Sequence, residues 1–121
     1  MLNKILFVFI GGGLGSIIRF FITQMDYEFL KSYKGTFFVN ILGSFLIGFF
    51  LAVLNERNTN LNFLLIVGFT GGLTTFSTFA LDIVNIELNN IILITFYITF
   101  SVLGAILGLL FGTFLGNKIV N

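Results

Sequence analysis

Residues 68–79 read GFTGGLTTFSTF, and this stretch decides how the chain folds. It interrupts a long apolar run with adjacent glycines and the β-branched pair Thr74 and Thr75, which together suit the interior of an α-helix poorly. The chain has no proline that could kink the helix in another way. In hydrocarbon, backbone that leaves a helix must be buried in protein or line a polar cavity. The stretch therefore predicts a transmembrane span that is broken in mid-membrane, as in transporters whose exposed carbonyl groups hold a cation.

The composition indicates that lipid is the solvent. Of the 121 residues, 57% are hydrophobic and 9% are charged, whereas soluble domains carry about 25% charged residues. The charges divide the sequence into apolar segments with lengths close to the ~20 residues that a membrane helix needs. These segments lack the alternation of apolar and polar residues that marks a barrel strand. The predicted fold class is an all-α integral membrane protein of the cell membrane, with one four-helix transmembrane domain over 1–121. The four predicted spans are 2–22, 35–54, 61–84 and 91–116.

Catalytic side chains are scarce. The chain has neither cysteine nor histidine, which excludes disulfides, thiol catalysis and the commonest general base. We therefore expect that the protein is not an enzyme, and no nucleic-acid partner is expected.

Positive charges are nearly balanced across the membrane. With both termini inside, Lys4, Arg57 and Lys118 lie on the cytoplasmic side, and Lys31 and Lys34 lie outside. The positive-inside rule then has almost no difference on which to act. Two copies could insert in opposite orientations and pair about an axis in the membrane plane.

Small residues recur one helical turn apart in two spans. Glycine lets membrane helices approach each other closely, so each series predicts a helix–helix contact. The two series are Gly11 and Gly15 in the first span, and Gly104, Gly108, Gly112 and Gly116 in the fourth.

Three blocks in order carry a family resemblance. Residues 11–20 read GGGLGSIIRF, residues 35–45 read GTFFVNILGSF, and residues 68–79 are the stretch quoted above. Together with the length and the four-span layout, they resemble the Fluc/CrcB fluoride channels. The resemblance implies an antiparallel dual-topology dimer, formed with a second copy or with a related sister chain. Such a dimer would pass fluoride passively across the lipid bilayer and lower cytoplasmic fluoride.

The resemblance also implies a structural Na⁺ ion, which is not transported, at the centre of the dimer. The backbone carbonyls of Gly71 and Thr74 from each subunit would hold it. Hard oxygen ligands suit a small hard cation, and its charge would lower the energy of an anion nearby.

The fluoride pathway that the resemblance implies combines ring edges with polar donors. Aromatic rings have a positive edge, which suits Phe76 and Phe79 to an anion. Arg19 would stand in an aqueous vestibule. The remaining pathway residues that the family pattern implies are Asn40, Ser44, Ser77, Thr78, Tyr97 and Ser101.

Alternatives stay open for several of these side chains. Asn40 could instead bridge two helices, and Ser77 and Thr78 could bond back to their own helix. Arg19 could snorkel to the headgroups. Asp82 stands where the family usually carries glutamate, so its role is in doubt. Ala105 stands where some relatives have serine, so the polar track of Tyr97 and Ser101 in the fourth span lacks a hydroxyl at that turn.

Two other functions compete with fluoride conduction. A small multidrug exporter also has four spans, but it needs a titratable group in the membrane, and its first-helix glutamate has no counterpart in residues 2–22. A purely structural membrane subunit would not need the hydroxyl-rich break of the third span.

Overall fold

The structure is a computed structural model that describes residues 1–24, 33–54, 59–86 and 90–120. Within these ranges the protein is helical, and four helices are long and apolar enough to cross a membrane, which confirms the predicted fold class. They comprise Leu2–Gln24, Tyr33–Val53, Thr59–Asn85 and Ile91–Val120. The fourth helix thus continues beyond the predicted limit of the span. Lys31 and Arg57, which entered the charge balance, lie outside the described residues.

The third span is two helical segments in series. Its first half runs from a short turn at Thr59–Leu61 through a π-helix at Asn62–Thr70 to another turn at Gly71–Leu73. Its second half is the α-helix Phe76–Asn85. The predicted interruption is therefore present, and it falls on the two threonines, while the paired glycines remain helical. The π-helix was not predicted, and no residue pattern in 62–70 distinguishes it from an ordinary apolar helix.

The first helix packs against the first half of the third span through backbone rather than side chains. A Cβ atom at Gly11 would overlap the Leu64 carbonyl oxygen, and one at Gly15 would overlap that of Phe69. At Gly72 a Cβ atom would meet the Gly12 carbonyl. This close approach explains why glycines stand in the third span where the helix is unbroken.

The second and fourth helices form the other close pair. The glycine series of the fourth helix lies on this contact, as its spacing predicts. A Cβ atom at Gly112 would overlap the Phe45 carbonyl oxygen, and one at Gly108 would lie 3.1 Å from that of Ile41. Gly48 of the second helix meets the Leu109 carbonyl in the same way.

A small cluster of buried apolar residues lies along the second half of the third span. It joins Phe79 and Ile86 to Ile94 and Tyr97 of the fourth helix. Most other large apolar side chains point outward, such as Phe9 with 77% of its surface exposed. Such a surface suits lipid, because hydrocarbon solvates these side chains as well as a protein core does.

Candidate functional site

The break in the third span consists of Thr74 and Thr75, whose backbone is extended. Thr74 has φ −80° and ψ 155°, and Thr75 has φ −152° and ψ 117°. Thr75 is also the N-cap of the second half, because its hydroxyl accepts the backbone N–H of Thr78 at 3.1 Å. A threonine in this position satisfies one of the N–H groups that a helix start leaves without a partner.

Asn40 of the second helix pairs with the backbone of Thr75. The Thr75 N–H donates to the Asn40 side-chain oxygen at 2.7 Å, and the Asn40 side-chain amide donates to the Thr75 carbonyl at 3.1 Å. The side chain thus imitates a neighbouring backbone strand. The helix-bridging alternative for Asn40 is realised in the protomer.

At the break, two backbone carbonyls of the third span lose the N–H donor that a continuous helix would give them. In a continuous helix, the N–H four residues later would donate to each carbonyl. For Gly71 that donor is the Thr75 N–H, which goes to Asn40, and for Thr74 it is the Thr78 N–H, which goes to the Thr75 hydroxyl. The break therefore takes the helical donor from both carbonyls that the family resemblance assigns to Na⁺.

The two carbonyls that flank the Gly71 carbonyl in the chain accept hydrogen bonds from protein donors. The Thr70 carbonyl accepts both the N–H and the hydroxyl of Thr74, at 3.0 Å and 2.9 Å. The Gly72 carbonyl accepts the Arg19 Nε–H at 3.0 Å and the Ser16 hydroxyl at 3.5 Å. The donor set at Gly71 and Thr74, two neutral oxygens without a side-chain charge, fits a small hard cation.

An open cleft of about 370 Å³ adjoins the break, between the second helix, the third span and the fourth helix. Five of the predicted pathway residues meet there, together with both residues of the break. The polar and aromatic lining consists of Asn40, Ser44, Thr74, Thr75, Phe76, Phe79 and Ser101.

The two phenylalanines sit at different depths of this cleft. Phe76 is 80% exposed on the protomer, whereas Phe79 is buried. Their ring centroids are 5.7 Å apart, and Phe79 packs in turn on the Tyr97 ring at 5.2 Å. The Tyr97 hydroxyl donates to the buried carboxylate of Asp82 at 3.0 Å. The aromatic pair is therefore anchored on one side and open on the other.

Ser101 contributes a buried hydroxyl to the cleft. Only 6% of its surface is exposed, and no hydrogen-bond partner reaches its Oγ among the residues that the structure describes. A buried hydroxyl without a partner is unfavourable. One turn further along the helix, Ala105 also lines the cleft, so the fourth helix presents one hydroxyl there rather than two.

Other predicted site residues lie around the cleft rather than in its lining. Ser77 and Thr78 surround the Thr75 hydroxyl, at 3.2 Å and 3.0 Å between oxygens. Tyr97 is 5% exposed and belongs to the core. Arg19 is partly exposed and anchored at Gly72, so its vestibule role stays a prediction.

Thr75 is the residue of this site that the sequence interpretation did not select. Its hydroxyl caps a helix, its backbone pairs with Asn40, and its side chain lines the cleft. The usable signal was a threonine directly before a helical segment, which is a preferred N-cap. The preceding apolar run hides this signal, because a new helix start is not expected in the middle of a span.

A broken span beside a cleft of amide, hydroxyl and ring groups defines a multi-pass membrane protein with a candidate ion site. Comparison with known families gives the more particular result. The family described as "CrcB-like protein, Camphor Resistance (CrcB)" matches residues 6–113. The chain belongs to this CrcB family.

Curated relatives agree with this assignment. The chain is 44% identical over 97 residues to a protein of Gloeothece citriformis named fluoride-specific ion channel FluC. The match covers 77% of this chain and 79% of the relative. It is 47% identical over 90 residues to a protein of the same name from Serratia proteamaculans, covering 69% of each. A third, from Hydrogenobaculum, is 39% identical over 94 residues and covers 74% of this chain and 77% of its own length. The chain is thus a multi-pass protein of the cell membrane.

Proposed function

We propose that this protein is a fluoride-specific channel that passes F⁻ passively across the cell membrane and so lowers cytoplasmic fluoride. One observation carries the proposal: in a chain of the CrcB family, a single cleft at a helix break collects Asn40, Ser44 and Ser101 with Phe76 and Phe79. The relatives' name supplies the ion. Permeation requires no bond to form or break, so no enzymatic step is proposed.

The lining accounts for how a strongly hydrated anion could enter the membrane. A selective pore must replace the ion's water shell with fixed groups. Ser101 offers a hydroxyl proton with no protein acceptor among the described residues, and Asn40 keeps one amide N–H beyond the one that it gives to Thr75. Phe76 and Phe79 add ring edges of positive electrostatic potential. The described lining has no acidic side chain that would repel the ion.

We further propose a structural Na⁺ ion at the carbonyls of Gly71 and Thr74. The diversion of their helical donors to Asn40 and to the Thr75 hydroxyl supports this placement. When bound, such a cation would offset part of the desolvation energy of an anion in the adjoining cleft. The chain's own contribution is to hold two neutral oxygens near the pathway.

A second copy of the chain in the opposite orientation is part of the proposal. Two carbonyl oxygens are too few for a hard cation, and a twofold-related copy would raise the number to four. Gly71 and Phe76 are exposed on the protomer, as groups at such an interface would be. A related sister chain could take the same place.

Flux from liposomes tests the proposal against both alternatives. Purified protein in vesicles loaded with KF should release fluoride rapidly when valinomycin carries the compensating K⁺, without a proton gradient, and KCl-loaded vesicles should retain chloride. Drug–proton exchange without this flux would instead support an exporter. A folded, reconstituted protein that passes neither would support a structural subunit.

A further inference from the structure

A side chain of the second helix binds the backbone of the third span at its break. The chain contains no proline, and Gly71 and Gly72 have continued the helix up to Leu73. Thr74 and Thr75 then leave the helix. One side chain binds both backbone groups of Thr75: the N–H donates to the Asn40 oxygen at 2.7 Å, and the carbonyl accepts the Asn40 amide at 3.1 Å.

The Asn40 bond competes with a specific helical bond. If the Thr75 N–H turned back into the helix, its acceptor would be the Gly71 carbonyl, four residues earlier. Thr75 is buried, so its N–H has little access to water and needs a protein acceptor. Either Asn40 or Gly71 provides that acceptor, and a Gly71 carbonyl that accepts it is less available to a cation.

We propose that Asn40 is a positioning residue for the cation site: by taking the Thr75 N–H, it holds the break open and leaves the Gly71 carbonyl to the cation. This inference rests on the proposed function and deepens it. Because Asn40 also lines the cleft, one side chain connects the cation site to the fluoride pathway. Its side-chain oxygen accepts the Thr75 N–H at the break, and its second amide N–H remains to bind an anion.

The oxygen and the NH₂ group of the Asn40 amide have different proposed roles, so substitutions should affect Na⁺ binding and fluoride flux separately. Asn40→Ala removes both the acceptor and the donors, so the break loses its support and the pathway loses a donor. Asn40→Asp keeps an acceptor for the Thr75 N–H, but it has no amide protons to offer either the Thr75 carbonyl or an anion. Ser44→Ala is the matched control, because Ser44 lines the same cleft while its hydroxyl donates only to the Asn40 backbone carbonyl of its own helix, at 2.8 Å.

The test measures how Na⁺ stabilises the purified full-length protein. Thermal unfolding is followed in detergent as NaCl replaces N-methyl-D-glucamine chloride at constant ionic strength, since a ligand that binds only the folded state raises the midpoint. The wild type and Ser44→Ala should show the same Na⁺-dependent rise. Asn40→Ala should require about tenfold more Na⁺ for half of that rise, and Asn40→Asp should keep the response while losing fluoride flux.

The outcomes separate this inference from the proposed function. If the wild type conducts fluoride and Asn40→Ala keeps the full Na⁺ response, this inference is overturned and the proposed function is not. If Asn40→Ala does not fold, Asn40→Asp decides, and an Asp variant without a Na⁺ response would also overturn it. A wild type with an Asn40-dependent Na⁺ response but no fluoride flux would support the positioning role and contradict the proposed function.

Discussion

The Tyr97 hydroxyl donates a 3.0 Å hydrogen bond to the carboxylate of Asp82, and both residues are buried within the membrane-spanning part of the protein. Asp82 lies one turn after Phe79 on the same helix, and Tyr97 packs its ring on Phe79. The hydrogen bond therefore fixes the ring that supports the inner wall of the cleft. The aspartate at this position has a structural partner within the protomer.

Removing the tyrosine hydroxyl should destabilise the protein. Tyr97→Phe leaves a buried carboxylate without its donor, which we expect to lower the free energy of unfolding by about 1–3 kcal/mol. Asp82→Asn is the matched variant, because its amide oxygen still accepts the tyrosine proton, and its loss should be smaller. Denaturant unfolding in detergent measures both values, and equal stability of Tyr97→Phe and the wild type would contradict this account.

The phenylalanine pair should be needed for flux and not for folding. Replacing Phe76 and Phe79 together by Ile keeps apolar bulk but removes the ring edges, so fluoride efflux should fall by about tenfold, while the protein still folds and dimerises. Phe9→Ile is the control for the exposed member of the pair, since Phe9 is about as exposed as Phe76 but lies outside the cleft. Unimpaired efflux in the double variant would show that the rings do not contact the ion.

Ser101→Ala should separate conduction from stability in a different way. The substitution removes a buried hydroxyl that has no partner in the described part of the chain, so the free energy of unfolding should stay equal or rise. Fluoride efflux should fall, because the pathway loses a donor. Thr95→Ala, on an exposed face of the same helix and bonded to the Ile91 carbonyl, should leave efflux unchanged. A clear loss of stability in Ser101→Ala would show that the Ser101 hydroxyl is hydrogen-bonded in the folded protein.

Two glycines of the first helix should respond oppositely to a methyl group. Gly15→Ala places a Cβ atom against the Phe69 carbonyl and forces the first helix from the third span, which should lower the free energy of unfolding by about 1–3 kcal/mol. At Gly13 nothing lies within 4 Å of a new Cβ atom, so Gly13→Ala should be neutral or slightly stabilising. Similar unfolding midpoints for the two variants would exclude the close contact.

Local sequence patterns predicted the features that depend on local chemistry. Long apolar runs predicted four spans, and the threonine pair at Thr74 and Thr75 predicted the interruption of the third. Glycine spacing predicted where helices approach closely, as at Gly15 and Gly112. The five pathway residues that share the cleft came from the family pattern, since composition alone does not distinguish Phe76 and Phe79 among 18 phenylalanines.

Features that depend on a partner in another helix were harder to predict. The acceptor that holds Thr75 open is 35 residues away on Asn40, and Arg19 meets the Gly72 carbonyl 53 residues along the chain. The side chains of Asn40 and Arg19 allow either a pathway role or a structural bond, and only the packing of the helices shows which bond forms. The π-helix at Asn62–Thr70 was likewise not predicted, since its residues read as an ordinary apolar helix.

The pairing of helices has a consequence for biosynthesis. The first helix can find its partner as soon as residues 59–73 enter the membrane, but the second must wait for the last helix to leave the ribosome, because its main contact is with Ile91–Val120. Until then Gly48 and the face of the second helix that packs on the fourth stand in lipid or against transient partners, although Asn40 already has Thr75 of the third span as a partner. A chain stalled before residue 91 would therefore be a target for membrane quality control, and chaperones of the insertion machinery would have most to protect in that interval.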